Sequence, residues 1–150
     1  MKKLKIYMDN YCFNRPFDDC SSDRVFLEAE AILTILRKCQ EGIFEIVGSD
    51  VLDFEMSNMS NMDKKNKVIT LYSIVKTKYT EDEKSKKMSE ELIKQNVKWL
   101  DSMHVSIAEV NEVDIFLTTD DKLMSNSNKV KFKMRIINPL NWIMEVMNYE

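Results

Sequence analysis

Apolar and polar positions along the chain separate into two periods. Short β-compatible runs occur at Leu4 to Met8, Ile43 to Val47, Val113 to Leu117 and Met134 to Asn138. Between them lie stretches whose apolar residues recur at helical spacing. Val25, Ala29, Ile32, Leu33 and Leu36 mark one such face, opened by Ser21, Ser22 and Asp23 as cap candidates and closed by Gly42. Gly48, Ser49 and Asp50 turn the second run into a helix from about Val51 to Met59. Further helices are predicted over Asp63 to Lys78, with Val68, Leu71, Tyr72 and Val75 inward, and over Tyr79 to Asn96, where Thr80 and Glu83 have capping-box spacing. Asn10 to Ser22 is rich in turn formers, and Pro16 disfavours helix at Arg15, so this stretch reads as a loop over a strand end. Pro139 starts a last helix with Trp142, Ile143 and Val146 on one side. Strand, helix, strand, helices, strand, helix, strand, helix is the order of a parallel α/β sheet.

The stretch from Leu100 to Leu123 concentrates the candidate chemistry. Asp101 opens a helix with Met103, Ile107 and Val110 on one stripe, and the apolar run that follows stops at Thr118, Thr119, Asp120 and Asp121. Ligands of open α/β sheets bind at the carboxyl ends of strands, which favours Asp9, Asp120 and Asp121 and demotes Asp114, at the start of its strand. Glu55 joins them from the border of an apolar helix face formed by Val51, Leu52, Phe54, Met56 and Met59. Carboxylates gathered in one cleft repel one another, and a hard cation resolves the conflict. Mg²⁺ or Mn²⁺ suits an all-oxygen donor set and can turn a bound water into hydroxide for phosphodiester hydrolysis. Each acid also has a plain structural reading. Asp101 reads as a helix cap with Leu100 and Val105 as a hydrophobic staple, Asp120 or Asp121 as the cap of a short helix, and Glu55 as a surface residue. Asp9 alone has no predicted helix directly after it to cap.

Composition narrows the classes. A chain of 150 residues fits one domain over 1–150, and 44% apolar with 31% charged residues are globular proportions. No apolar run approaches the ~20 residues of a membrane span, and the N-terminal run is too short for a secretory signal, so a cytoplasmic protein is expected. Cys12, Cys20 and Cys39 are odd in number and lack a Cys-x-x-Cys pair, which points to reduced thiols. Two glycines exclude a Gly-rich phosphate loop. The net charge of -3 gives no global attraction to nucleic acid, leaving local basic patches or metal to hold a polyanion. Of the runs Lys64 to Lys67 and Lys129 to Arg135, the second is favoured because it follows the acid-bearing strand. His104, the one histidine, reads as a structural residue of a packed helix.

Asp9 ending the first strand, Glu55 after the second, Asp101-x-x-His104-x-x-x-Ala108, and Leu117-Thr118-Thr119-Asp120 closing the next strand together resemble the PIN-domain ribonucleases. The similarity spans the whole chain, and that family includes the VapC-like toxins. The resemblance implies a three-layer α/β/α sandwich around a parallel sheet, with Asp9, Glu55, Asp101 and Asp120 as catalytic, metal-binding acids. It adds Asp121 as a fifth metal ligand and Thr118 as an orienting hydroxyl. Mg²⁺- or Mn²⁺-dependent cleavage of RNA, an antitoxin partner in a toxin-antitoxin pair, a homodimer and no membrane association follow from the same likeness. The chain departs from those toxins after the first acid, where a small hydroxyl residue and Asn are replaced by Asn10, Tyr11 and Cys12. That departure and the low net charge motivate the alternative, a catalytically inactive PIN-like module that binds RNA or protein.

Overall fold

Strand β1 (Lys5–Met8) is apolar on both faces, as the middle of a parallel sheet requires: Ile6, Tyr7 and Met8 are all fully buried. It lies between β2 (Glu45–Ser49) and β4 (Ile115–Leu117), with Tyr7 in register with Val47 on one side and Phe116 on the other. Tyr7 and Phe116 stack with ring centroids 5.3 Å apart. β3 (Thr77–Tyr79) adds to the far side of β2 and β5 (Arg135–Ile137) to the far side of β4, giving five parallel strands in the order β3-β2-β1-β4-β5. This computed structural model describes residues 2–148.

Helices make the crossovers. α1 (Asn10–Asn14) and a 3-10 helix (Arg15–Phe17) follow β1, and α2 (Asp23–Gln40) leads to β2; α3 (Asp50–Ser57) and α4 (Met62–Tyr72) lead to β3. α5 (Glu83–Lys94) and α6 (Trp99–Val110) lead to β4, α7 (Asp121–Ser127) to β5, and α8 (Pro139–Asn148) ends the described chain. The β1-to-β2 and β3-to-β4 steps run in opposite directions across the sheet. Right-handed crossovers therefore put α2 on one face and α5–α6 on the other, with α8 returning to pack on α2. The result is the expected α/β/α sandwich. Strand order reverses between β1 and β4, and at such a switch point the carboxyl ends of the strands diverge into a crevice.

Local chemistry accounts for the helix ends. Ser22 caps α2 by accepting from the Val25 N–H, and Gly42 at φ +81° ends it, with Gly42 N–H bonded to Cys39 O and Ile43 N–H to Lys38 O. Ala29, Ile32, Ile35 and Leu36 form the buried face, whereas Leu33 faces outward and Glu28 is buried.

Four expectations are corrected. Asn10 to Ser22 is not simply a loop: its first half is α1, capped by Asp9, too short for its apolar pair Cys12 and Phe13 to register a period. The predicted helix over Asp63 to Lys78 ends at Tyr72, and Thr77–Tyr79 forms a fifth strand whose lysine-rich flanks hide it. The capping box of α5 is built by Asp82 and Ser85 rather than Thr80 and Glu83. Finally, α6 begins at Trp99, so Asp101 lies inside its first turn and caps nothing.

Gly48 sits where β2 meets α4. A Cβ there would stand 2.6 Å from the Tyr72 hydroxyl oxygen and 3.0 Å from its ring, and that hydroxyl donates to Ser49 O at 3.3 Å. Gly48→Ala is expected to destabilise the fold by about 1–3 kcal/mol, read as a lower urea midpoint. Pairing it with Tyr72→Phe should return part of the loss, and equal midpoints for wild type and Gly48→Ala would refute the close packing.

Candidate active site

Asp9 is delivered by β1 and is 1% exposed. Its Oδ1 accepts from the Cys12 N–H at 3.1 Å as the cap of α1, while its Oδ2 is buried without a hydrogen-bond partner. Thr118, at the end of β4, lies near enough to this carboxylate to favour its charged form, and the Thr118 Oγ1 accepts from the Asp120 N–H at 3.1 Å. Asp120 in turn caps α7, with Oδ1 accepting from the Lys122 and Leu123 N–H groups at 3.0 and 3.1 Å. Asp101 projects from the first turn of α6 and is 8% exposed. Glu55 comes from α3, which starts directly at the end of β2 with Ser49 as its cap.

These elements surround a cleft of about 450 Å³ at the carboxyl ends of β1 and β4. Glu55, Asp101, Asp120 and His104 line it together with Tyr11, Asn14, Arg15, Asp18 and Lys64. Asp9 lies beneath, and its field reaches the same space. Burial raises the Tyr11 hydroxyl to about 12, and Asp101, Asp120, Asp9 and Glu55 all push in the same direction. Burial also raises Asp9 to about 7, opposed by Thr118, by the bond from Cys12 and by His104, and reinforced by Asp101. Asp101 rises to about 6 through burial, with Glu55 and Asp120 adding to the shift and His104 and Lys98 opposing it. The fold thus holds two buried acids where their charge is unfavourable.

His104 is fully occupied. A buried chain runs from Ser49 Oγ to Tyr7 Oη at 2.6 Å, from Tyr7 Oη to His104 Nδ1 at 2.5 Å, and from His104 Nε2 to Glu55 Oε1. The imidazole thus joins the Tyr7 hydroxyl at one ring nitrogen to the Glu55 carboxylate at the other. The expected structural role of His104 holds, but its partner is one of the acids of the site. Among the described residues, no group of three or more His, Cys, Asp or Glu side chains is already drawn together as a metal site, and Glu55 is turned to His104. The donor chemistry nevertheless fits a hard divalent ion: every acid at the cleft offers oxygen, and Asp9 Oδ2 has no other partner.

The structure brings Asp9, Glu55, Asp101 and Asp120 to one place and leaves Asp121 outside it. Asp121 is exposed and forms a two-pronged ion pair with Arg24, both bonds at 2.9 Å, which lowers its pKa. Asp114 accepts from the Lys5 N–H at 2.8 Å at the amino end of the sheet, as its position before the strand predicts. The favoured basic run is corrected: Lys131 and Lys133 share a groove with Asp114 and Val113 at that same far end, and Arg135 pairs with Glu145. The Lys64 run supplies the lysine of the cleft instead. Arg15 and Lys64 are tied to Asp18 at 3.2 and 2.7 Å, and Arg15 also to Glu28 at 2.8 Å. Glu28, buried on α2, further binds Arg24 and Asn138. Sequence reading missed it because a lone glutamate in an amphipathic helix carries no sign of burial.

No family sequence profile matches the chain, and no curated protein matches it. Solved structures do, and they share its α/β architecture. A chain of VapBC2 from Rickettsia felis, in a structure bound to a DNA fragment from their promoter, superposes with a TM-score of 0.56 at 11% identity, covering 90% of this chain and 98% of that one. PAE2754 from Pyrobaculum aerophilum superposes with a TM-score of 0.55, also at 11% identity, covering 99% and 100%. At 11% identity the likeness is one of fold: the chain shares the architecture of both structures. Among the described residues no helix is long and apolar enough to cross a membrane.

Two outcomes follow from the buried groups. His104→Leu takes from the Tyr7 hydroxyl one of its two partners and from Glu55 its imidazole partner, and is expected to cost about 1–3 kcal/mol in urea unfolding. Adding Tyr7→Phe should recover part of that loss, and strict additivity would remove the relay from the account. The raised acids act through pH. Their ordinary value is 3.8, so between there and about 6 to 7 the folded chain holds more protons than the unfolded one. Their contribution to stability is full at low pH and is lost as pH rises through that window. In chelator the urea midpoint should therefore fall from about pH 5 to about pH 8, and Mg²⁺ or Mn²⁺ should restore more of it at the higher pH. A midpoint that rises over that window would contradict these shifts.

Proposed function

We propose that the protein is a divalent-metal-dependent endoribonuclease. The observation that carries the reading is Asp9 Oδ2, a buried carboxylate oxygen without a partner at the switch point of the sheet, on a residue near enough to Asp101 for their charges to interact. Asp9, Asp101, Asp120 and Glu55 would hold Mg²⁺ or Mn²⁺, and the ion when bound supplies an activated water and charge for the leaving oxygen. The chain's own contribution is positional. Thr118 orients Asp120 and favours the charged form of Asp9, α1 closes over Asp9, and Arg15 and Lys64 line the same cleft as the acids, where a phosphodiester would lie. Asp121, committed to Arg24, has the weakest claim among the acids. The likeness to a chain of VapBC2 supports an antitoxin partner and, with it, a toxin-antitoxin role; a homodimer in the cytoplasm belongs to the same proposal.

The hold of His104 on Glu55 favours one second reading, a PIN-like module that binds RNA or protein without cleaving it. Cleavage separates the two. With Mg²⁺ or Mn²⁺ the purified protein should cut single-stranded RNA, and Asp9→Asn or Asp101→Asn should reduce cutting at least a hundredfold, an effect of about 2.7 kcal/mol on the barrier. Asn at position 9 keeps the cap on Cys12 and removes the buried charge, so Asp9→Asn should also raise the urea midpoint near pH 8. Undiminished cleavage by both variants would overturn the assignment, and no Mn²⁺ binding at millimolar concentration would leave the binding module.

A further inference from the structure

A smaller groove of about 90 Å³ lies between the Asn96–Lys98 turn and α7. Asp101 and Asp120 line both this groove and the main cleft, so the two depressions meet across the acids. Its floor is formed by the buried Val97 and Leu123, and its rim by the exposed Lys98 and Lys122. The groove is about one fifth the size of the main cleft.

Cations on the two sides of the acids are committed differently. Arg15 and Lys64, on the cleft side, are neutralised by Asp18 and Glu28. Lys98 and Lys122 form no ion pair among the described residues. Lys98 is nevertheless close enough to oppose the upward shift of Asp101. A protein of net charge -3 with its acids gathered in a cleft repels a polyanion, and free lysines at the edge of those acids are where its backbone gains most.

We propose that Lys98 and Lys122 form a subsite for a backbone phosphate of single-stranded RNA, adjacent to the phosphate held at the acids. The strand then crosses Asp101 and Asp120 and continues over this groove. This subsite rests on the nuclease reading. It is sequence-independent, because what the two lysines offer is charge to a phosphate.

The test is binding of fluorophore-labelled uridine and adenosine decamers in Mg²⁺, followed by anisotropy over a salt series, alongside a cleavage assay of the same oligomers. The double variant Lys98→Ala/Lys122→Ala should bind severalfold more weakly, by the same factor for both oligomers, with the slope of log K against log salt reduced by about 0.7, the value for one phosphate on a single strand. Lys131→Ala/Lys133→Ala removes the same charge from the far end of the sheet and should bind like wild type. If the wild type binds and cuts while the groove variant matches it in affinity and slope, the subsite is wrong and the nuclease reading stands. Equal weakening by both double variants would reduce the effect to net charge and also overturn the subsite. A wild type that neither binds nor cuts either oligomer would overturn the nuclease reading and the subsite with it.

Discussion

Asp9 is asked to do two things with one carboxylate. Oδ1 secures the first turn of α1, which folds back over the end of β1 and buries Cys12 and Phe13 in the core. Oδ2 is thereby fixed in a place where water does not reach it and no protein donor meets it. The cap that makes the local structure thus also creates the electrostatic deficit. Thr118 and the Cys12 amide offset part of the cost of burial, and Asp101 adds to it. The fold must carry that deficit or take up a proton.

Much of the architecture was legible because parallel strands buried on both faces leave continuous apolar runs. Four of the five strands, the caps on α2 and the start of α8 follow from such runs and from Ser, Gly and Pro at their ends. β3 did not, because a three-residue edge strand with a lysine at its centre needs only one partner and shows no apolar run. Asp9 and Asp120 were read as acids at strand ends, and they are; that both also cap helices shows that cap and site are not competing readings when a helix begins at the cleft. Asp101 was the reverse case, an expected cap that sits too deep in its helix to be one. Charge pairing was the least readable layer. Whether Arg24 finds Asp121, or His104 finds Glu55, depends on residues brought together across the fold, 97 and 49 positions apart in sequence.

The Glu28 network illustrates how rigidity is distributed around the cleft. A carboxylate buried on α2 accepts from Arg15, Arg24 and Asn138, and so joins the segment after α1, α2 itself and the start of α8. Removing one partner would leave charge uncompensated in the interior, so the three segments hold one another in place. Arg24 extends the network to Asp121 at the first turn of α7. The segment that carries Arg15 is thereby tied to the starts of α7 and α8, while Lys98 and Lys122, at the other edge of the acids, form no ion pair among the described residues.

The two outer strands bear on how the chain meets other chains. β3 and β5 are three residues each, and their middles or starts carry Lys78 and Arg135. Lys78 is drawn toward Asp53 and the Tyr72 ring, and Arg135 is held by Glu145. Such brief, charged margins offer little ladder for a foreign strand to extend. The sheet is in effect a closed lattice of bounded width, and association with a second polypeptide falls to helical surfaces, where recognition depends on side-chain shape rather than on backbone pairing.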